Sequence, residues 1–188
     1  MGQLSFNVHE TIDPAAQADE AAVSLTPAGG YKNLIPAARY NLGTQFFNRI
    51  GRKLRIRAFG KITTTGAGVK TPQVGVLWGT GADANGVVVA QSAALSAASQ
   101  TDLSWDVELY IICRSLGATG ALFCTGRFLA NPSLYSSPTQ PMMIPASDAL
   151  VSSACDLTTT LIPALQMSNP GAGTGSVTVQ DFEITPMS

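Results

Sequence analysis

The sequence predicts an all-β protein, a jelly-roll-like antiparallel β-sandwich with an extended N-terminal arm. Apolar and polar residues alternate with a period of two over residues 52–65 and 105–114, which is typical of strands with one buried and one solvated face. Turn signals recur about every eight to twelve residues, as in sandwiches. Two long connections, residues 91–100 and 131–147, favour a jelly roll or another Greek key over a meander.

Length and composition favour a single domain with a real core. The chain has 188 residues, of which 45% are hydrophobic and 12% charged. The charged fraction is about half of the usual value of roughly 25%. Such a surface suits contact with neighbouring molecules, and it also suits a hardy extracellular β-protein. We expect residues 1–30 to form the arm and residues 31–188 to form the sandwich.

The predicted arm carries its own short elements. Residues 4–8 alternate, so Leu4, Phe6 and Val8 are expected to add as a strand to a sheet. Asp13 and Pro14 predict the start of a short helix over residues 15–23, which residues 26–30 end. Arms of this kind become ordered when they dock on a neighbour; a loosely packed terminus is the alternative.

The strand over residues 52–65 is the centre of the predicted sandwich. An irregular edge strand within residues 31–50 leads into it. Its outer face is basic, whereas the outer face of the strand over residues 105–114 is acidic, with Asp106 and Glu108. If the two strands pair, opposite charges face each other across the ladder and help to fix the register.

The other strands follow from turns and alternation. Strands are predicted over residues 73–78 and 87–90, with Asn85 and Gly86 as a hairpin signal. A hairpin turn over residues 116–120 leads to a strand over residues 121–129. The proline-rich segment 131–147 is predicted to be a long crossing loop.

The last two strands complete a count of about seven to nine. The penultimate one is predicted over residues 157–162 and 164–167. The last covers residues 176–185, where the apolar phase slips. A β-bulge near Gln180 and Asp181 would place both Val179 and Phe182 on the core side.

The residues carry no pattern that predicts catalysis. The single histidine, His9, lies in the arm, and the glycine-rich segments lack the lysine of a phosphate-binding loop. Asp83 and Asn85 have too few acidic neighbours for a calcium cage. The three cysteines have no metal-binding spacing and are expected to be buried, as in a reducing cytoplasm. These cysteines are Cys113, Cys124 and Cys155. From all of these observations we expect no enzyme activity, no cofactor, no metal and no small-molecule substrate.

Charge is unevenly placed along the chain. Nine of the eleven Lys and Arg residues lie between Lys32 and Lys70, and four acids lie within the first twenty residues. We interpret the basic residues as the solvated side chains of a strand. Nucleic-acid binding through arginines such as Arg49 and Arg52 is the less favoured interpretation. A third interpretation places the acidic arm of one copy on the basic strand of another. Neither a signal peptide nor a membrane span is predicted, so we expect a protein that is cytosolic or is assembled in the cytosol.

Four segments, taken in order, resemble virion structural proteins of tailed bacteriophages, namely head decoration, head fibre and minor tail proteins. They are GRKLRIRAFGKITTT (51–65), TP (71–72), LWG (77–79) and LSWDVELYIICRSLG (103–117). The resemblance covers residues 31–188. It implies a jelly-roll-like domain, often a homotrimer, on the outside of a particle, and it brings no catalytic residues.

The resemblance predicts a capsid decoration or cement protein that binds the major capsid protein and bridges subunits. Its location would be the surface of the virion capsid, after assembly in the host cytoplasm. The alternatives are the receptor-binding head of a fibre, acting through residues 79–86, and a nucleic-acid-binding module on the basic strand. The candidate partner-binding residues are Leu4, Phe6, Val8, Arg52, Arg55, Arg57, Tyr135, Met142 and Met143.

Overall fold

Two antiparallel sheets pack face to face as a β-sandwich in this computed structural model. The structure describes residues 23–25, 29–36, 42, 46–64, 70–134, 142–146 and 151–187. The all-β prediction is therefore confirmed over this part of the chain. The same residues include no helix long and apolar enough to cross a membrane.

Sheet A has seven strands and carries the long ones. Its order is β1-β11-β3-β6-β7-β8, and β9 also pairs with β7. These strands are β1 (Val23–Leu25), β3 (Lys53–Thr63), β6 (Leu103–Ser115), β7 (Gly120–Ala130), β8 (Met142–Ile144), β9 (Val151–Cys155) and β11 (Gly175–Met187).

Sheet B has four strands in the order β2-β10-β4-β5. A short 3-10 turn, Pro132–Leu134, follows β7 in sheet A. The strands of sheet B are β2 (Gly29–Asn33), β4 (Gln73–Gly79), β5 (Val87–Gln91) and β10 (Ile162–Asn169).

The predicted pairing of the two long alternating strands is confirmed. β3 and β6 run antiparallel with Arg57 opposite Glu108 and Phe59 opposite Asp106. Their inner faces are apolar and fully buried, as Ile56 and Leu109 show at 0% exposure. Because the side-chain period is two, this burial fixes the register and turns every charged side chain of β3 outward.

The predicted bulge in the last strand is also confirmed. The register between β11 and β3 shifts between Val179 and Asp181, so that Gln180 is the extra residue. Val179 and Phe182 are consequently both buried, at 2% and 3% exposure. The bulge thus repairs the slip in the apolar phase and leaves the Gln180 side chain exposed on the strand.

The core lies between the two sheets. Trp105 and Phe128 pack with ring centroids 6.5 Å apart, and Phe47 meets Trp78 edge to face at 5.7 Å. The prediction of buried cysteines is confirmed, because the three side chains are 0% exposed and form no disulfide with one another. Burial raises the pKa of Cys124 to about 12. These thiols therefore behave as small apolar groups; they are Cys113, Cys124 and Cys155.

Sheet B is covered on its outer face by Tyr31 and by the turn after β4. A side-chain carbon at Gly75 would lie 2.7 Å from the Tyr31 ring, so the glycine provides the space for it. The Tyr31 hydroxyl donates to Gln91 at 2.8 Å. Gln166 of β10 donates to the Ala82 carbonyl at 3.0 Å and accepts from the Ala84 amide at 3.2 Å. Every residue of β10 is therefore buried.

The β4–β5 hairpin and the hairpin turn at residues 116–120 are confirmed. In the first hairpin the Asn85 amide donates to the Ala82 carbonyl at 3.2 Å, so the tight turn lies over residues 82–85 and Gly86 follows it. Gly86 has a φ of +126° and Gly117 a φ of +97°. Only glycine adopts such values without strain. The Gly120 amide donates to the Gly117 carbonyl at 3.1 Å and closes the second turn.

Three features differ from the predictions. Segment 131–147 does not cross between sheets, because β8 pairs with β7 within sheet A; the chain crosses to sheet B after β9. The penultimate strand begins at Ile162, not at residue 157. Val23 belongs to β1, and the rest of the predicted helix over 15–23 lies outside the described residues.

The strands begin upstream of residue 30. β1 pairs with β11 and β2 pairs with β10, so parts of residues 23–30 belong to the two sheets. β2 lies at the edge of sheet B, as expected for an edge strand leading to β3. The jelly-roll topology stays a prediction.

Candidate functional site

The outer face of sheet A carries three ion pairs that connect four neighbouring strands. Arg55 on β3 contacts Glu183 on β11 at 2.6 Å. Arg57 on β3 lies 3.7 Å from Asp106 on β6. Arg127 on β7 lies 3.2 Å from Glu108 on β6. We call this row of alternating charges the charged ladder.

Hydrogen bonds, in addition to the ion pairs, shift the pKa values of side chains in the charged ladder. A hydrogen bond from the Thr185 hydroxyl is the main cause that lowers the pKa of Glu183, and the Arg55 guanidinium adds to it against some desolvation. The Tyr110 hydroxyl donates to Glu108 at 2.9 Å, and this bond is the main cause that raises the pKa of Tyr110. Both carboxylates thus accept a hydrogen bond from a hydroxyl group in addition to forming an ion pair.

The two arginines in the middle of the basic strand are paired with carboxylates within the protein. Arg55 and Arg57 each face a carboxylate across the ladder. Arg52 lies just before β3, where its guanidinium stacks 4.3 Å from the Phe46 ring centroid and donates to Asn48 at 3.1 Å. Desolvation and the neighbouring Arg49 lower the pKa of Arg52. A polyanion gains little from arginines that already have partners.

One end of sheet A exposes apolar side chains. Ile50 is 66% exposed, Leu116 45% and Met187 36%. Half-buried Ile112 and Phe123 lie on the outer face at the same end. We call these five residues the apolar end. Exposed apolar side chains that cluster are typical of a contact surface, whereas isolated ones are common.

Strand pairing brings the apolar end together. Met187 is opposite Lys53, which is opposite Ile112, which in turn is opposite Phe123. The Arg114 guanidinium lies 5.1 Å from the Phe123 ring centroid. The amide of Gly51 donates to the Cys113 carbonyl at 2.8 Å, which places the Ile50 turn beside the end of β6. The surface therefore combines apolar side chains with two basic ones: Lys53 lies in the row between Met187 and Ile112, and Arg114 lies against Phe123.

The predicted partner-binding residues fall in different places. Arg55 and Arg57 lie in the charged ladder. Met143 is 59% exposed and lies opposite Arg127 at the edge of sheet A, while Met142 is half-buried and packs against the core. Arg52 lies near the apolar end. Four of the predicted residues, Leu4, Phe6, Val8 and Tyr135, lie outside the described residues.

The apolar end was not predicted from the sequence, although two signals of it are present. Ile111, Ile112 and Cys113 are consecutive apolar residues, so one of them must face outward on a strand. Leu116 is an apolar residue in a turn, which is a second signal. Phe123 lies opposite Ile112, and Met187 joins the same row across Lys53, only through strand pairing, which the sequence does not show directly.

The described residues hold no group of three or more His, Cys, Asp or Glu side chains placed to bind a metal ion. Asp83, which was weighed as a calcium ligand, instead accepts hydrogen bonds from the Lys32 side chain at 2.9 Å and the Asn33 amide at 2.8 Å. These bonds outweigh desolvation and lower the pKa of Asp83. Asp83 thereby fixes the turn after β4 to β2.

The geometry is that of a contact surface: an apolar end that includes basic side chains, beside a ladder of paired charges. Comparison of the chain with protein-family models, with curated proteins and with solved structures gives no match.

Proposed function

We propose that this chain is a non-enzymatic virion structural protein, a capsid decoration or cement protein of a tailed bacteriophage. The apolar end of sheet A is the observation that supports it, because it offers a contact surface on a β-sandwich. The segments within residues 51–117 that resemble phage virion proteins are the reason for proposing a phage particle. In this proposal the sandwich is of the jelly-roll type and the protein is a homotrimer.

The chemistry of the apolar end suits a protein partner. Ile50, Leu116 and Met187 lose unfavourable water contact when another protein covers them. Arg114 and Lys53, which lie among these apolar side chains, favour a partner with carboxylates beside an apolar surface. Arginine beside aromatic and methionine side chains is typical of protein interfaces. The proposed partner is the major capsid protein, and many copies on a shell need only modest affinity each.

The first experiment is co-sedimentation with empty heads of the particle in which the protein is assembled. Wild-type protein is expected to pellet with the heads in a fixed ratio and to be a trimer in solution. The double variant Ile50→Asp, Leu116→Asp is expected to lose at least about tenfold in binding, because two carboxylates would enter the contact. Val87→Asp on sheet B is the matched control, since Val87 is also exposed, at 37%.

Unchanged binding of the double variant, with a melting temperature equal to that of the control, would remove the apolar end from the proposal. Failure of the wild type to bind heads would remove the decoration function itself.

The second experiment tests the N-terminal segment. Removal of residues 1–22 leaves β1 and β2 in place, whereas removal of residues 1–30 would take strand residues from both sheets. We expect the chain that begins at Val23 to stay folded and to lose binding to heads. Undiminished binding would show that the segment carrying Leu4, Phe6 and Val8 is not the attachment device.

A receptor-binding head of a fibre is the second candidate function. The turn after β4 favours it, because residues 82–86 are exposed and yet fixed by hydrogen bonds to β10 and β2. A preorganised exposed loop binds at low entropic cost. Specific binding of the isolated protein to host cells, lost on replacing the exposed Asp83 by Ala, would support this function over decoration.

A further inference from the structure

A groove crosses the outer face of sheet A at the end opposite the apolar end. It has a volume of about 520 Å³ and is lined by residues of β3, β6, β7 and β11. Strand pairing sets two rows across it, Phe59 opposite Asp106 and Lys61 opposite Ser104. Pockets of roughly 300–1,000 Å³ are the size that holds small molecules. The groove is far along the sheet from the surface used in the proposed function and does not depend on it.

The bulge in β11 helps to build this groove. Gln180 is the extra residue of the bulge, and its side chain lines the groove. Bulges often turn a side chain toward a binding site. Asp102 lines the same groove and has a φ of +52°, which is uncommon for a residue other than glycine. Reciprocal hydrogen bonds with Thr63, at 3.1 and 3.3 Å, hold it there.

The charges of the groove balance. Asp102 and Asp106 contribute two carboxylates. Asp106 is paired with Arg57 at 3.7 Å, and the exposed Lys61 ammonium lines the groove with Asp102. A polyanion is not attracted to such a site, and too few carboxylates are free for a divalent cation. The ligand that fits is uncharged.

The groove combines one flat apolar surface with side chains that donate and accept hydrogen bonds. Phe59 is 41% exposed and presents its ring. The amides of Asn131 and Gln180 and the Ser104 hydroxyl each can donate and accept, the Lys61 ammonium donates, and the Asp102 carboxylate accepts. A sugar ring has the complementary surface: a face of C–H groups that packs on an aromatic ring, and hydroxyls around its edge.

We propose that this groove binds a neutral saccharide, a short stretch of an uncharged glycan. Phe59 stacks on one sugar ring, and Asp102, Asn131 and Gln180 bind its hydroxyls. The binding is non-covalent and leaves the glycan intact.

The experiment is a screen of the purified full chain on an array of neutral oligosaccharides, followed by titration calorimetry with the strongest binder. Phe59→Ala is expected to lower the affinity about tenfold or more, which is the loss of one stacked ring. Gln180→Ala is expected to weaken binding less. Phe59→Tyr retains the ring and should bind as the wild type does. Val87→Ala on sheet B is the matched control for replacement of an exposed apolar residue.

The proposal is supported if a neutral glycan binds and Phe59→Ala loses it while keeping the melting temperature of the control. It is overturned if no neutral glycan binds, if Phe59→Ala and Gln180→Ala bind as well as wild type, or if only basic peptides displace a bound probe. The last outcome would identify Asp102 and Asp106 as a site for cationic side chains. Co-sedimentation with heads can succeed or fail independently of each of these results.

Discussion

Tyr31 shows how a single side chain can help to cover the outer face of the central strands of a sheet. Its ring lies over Gly75 on the outer face of sheet B. Desolvation raises the pKa of Tyr31 to about 12, although a hydrogen bond with Ser168 lowers it slightly. The folded protein thus strongly prefers the neutral phenol at this position.

Stability should therefore fall between about pH 10 and pH 12. In this range the unfolded chain releases the Tyr31 proton and the folded protein keeps it, so rising pH favours unfolding. Below pH 10 the contribution is complete. Tyr31→Phe should have a flatter dependence of the free energy of unfolding on pH in this window. It should also be less stable at neutral pH, because the bond to Gln91 is lost.

Urea denaturation of wild type and Tyr31→Phe at pH 8, 10 and 11 measures this difference. Tyr110→Phe is the comparison, since the main cause that raises the pKa of Tyr110 is its bond to Glu108 rather than burial. An equal fall in stability for wild type and Tyr31→Phe would show that Tyr31 does not titrate as argued.

Gln180 affects the whole of β11, because as the extra residue of the bulge it sets which side chains of the strand face the core. Without the extra residue, the period of two would turn Phe182 and Ile184 toward water or break the pairing on one side of the bulge. Deletion of Gln180 should cost about 3 kcal/mol or more, since two buried apolar side chains would be exposed. Gln180→Ala keeps the residue count and should cost little, because Gln180 is exposed.

Chemical denaturation of the deletion variant and of Gln180→Ala distinguishes length from side chain. Equal midpoints for the two proteins would mean that β11 adapts its register without loss, contrary to the argument.

Local patterns predicted the long strands well. The pairing of β3 with β6 follows from alternation and opposite charge, and the bulge follows from a slip in the apolar phase. Both signals lie within a few consecutive residues. Hairpin turns are equally local, because Gly86 and Gly117 supply backbone angles that other residues avoid.

The short strands and the surface sites could not be predicted, because they depend on pairing between residues that are distant in sequence. β8 has three residues and is a strand only because β7 offers it a partner. The prolines of residues 131–147 indicated a loop and masked that pairing. The groove combines Phe59, Asp102, Asn131 and Gln180, which are far apart in sequence, so no window of the chain contains it. The apolar end likewise forms only after pairing.

For the whole molecule, the three buried thiols report on its integrity. Cys113, Cys124 and Cys155 are 0% exposed and lie on the adjacent strands β6, β7 and β9. A thiol reacts as its thiolate, and burial raises the pKa of Cys124 to about 12. We expect no rapid reaction with a disulfide reagent at pH 8 until the sandwich unfolds.

Counting the thiols that react in native buffer and in denaturing urea tests this expectation. All three should react after unfolding, and their native rates should follow the rate of opening. A thiol that reacts in native buffer as fast as a free cysteine would locate a loosely packed part of sheet A.

The place of β11 in sheet A has a consequence for the timing of synthesis. β11 is the last strand of the sandwich to be translated, yet it lies between β1 and β3. Until it leaves the ribosome, the edge of β3 is open and the inner face of sheet A lacks Val177, Val179, Phe182 and Ile184. The nascent chain therefore waits with an unpaired edge, which is the state most prone to pair with other chains. We therefore expect chaperone protection to matter most for the nascent chain, before β11 has been synthesised.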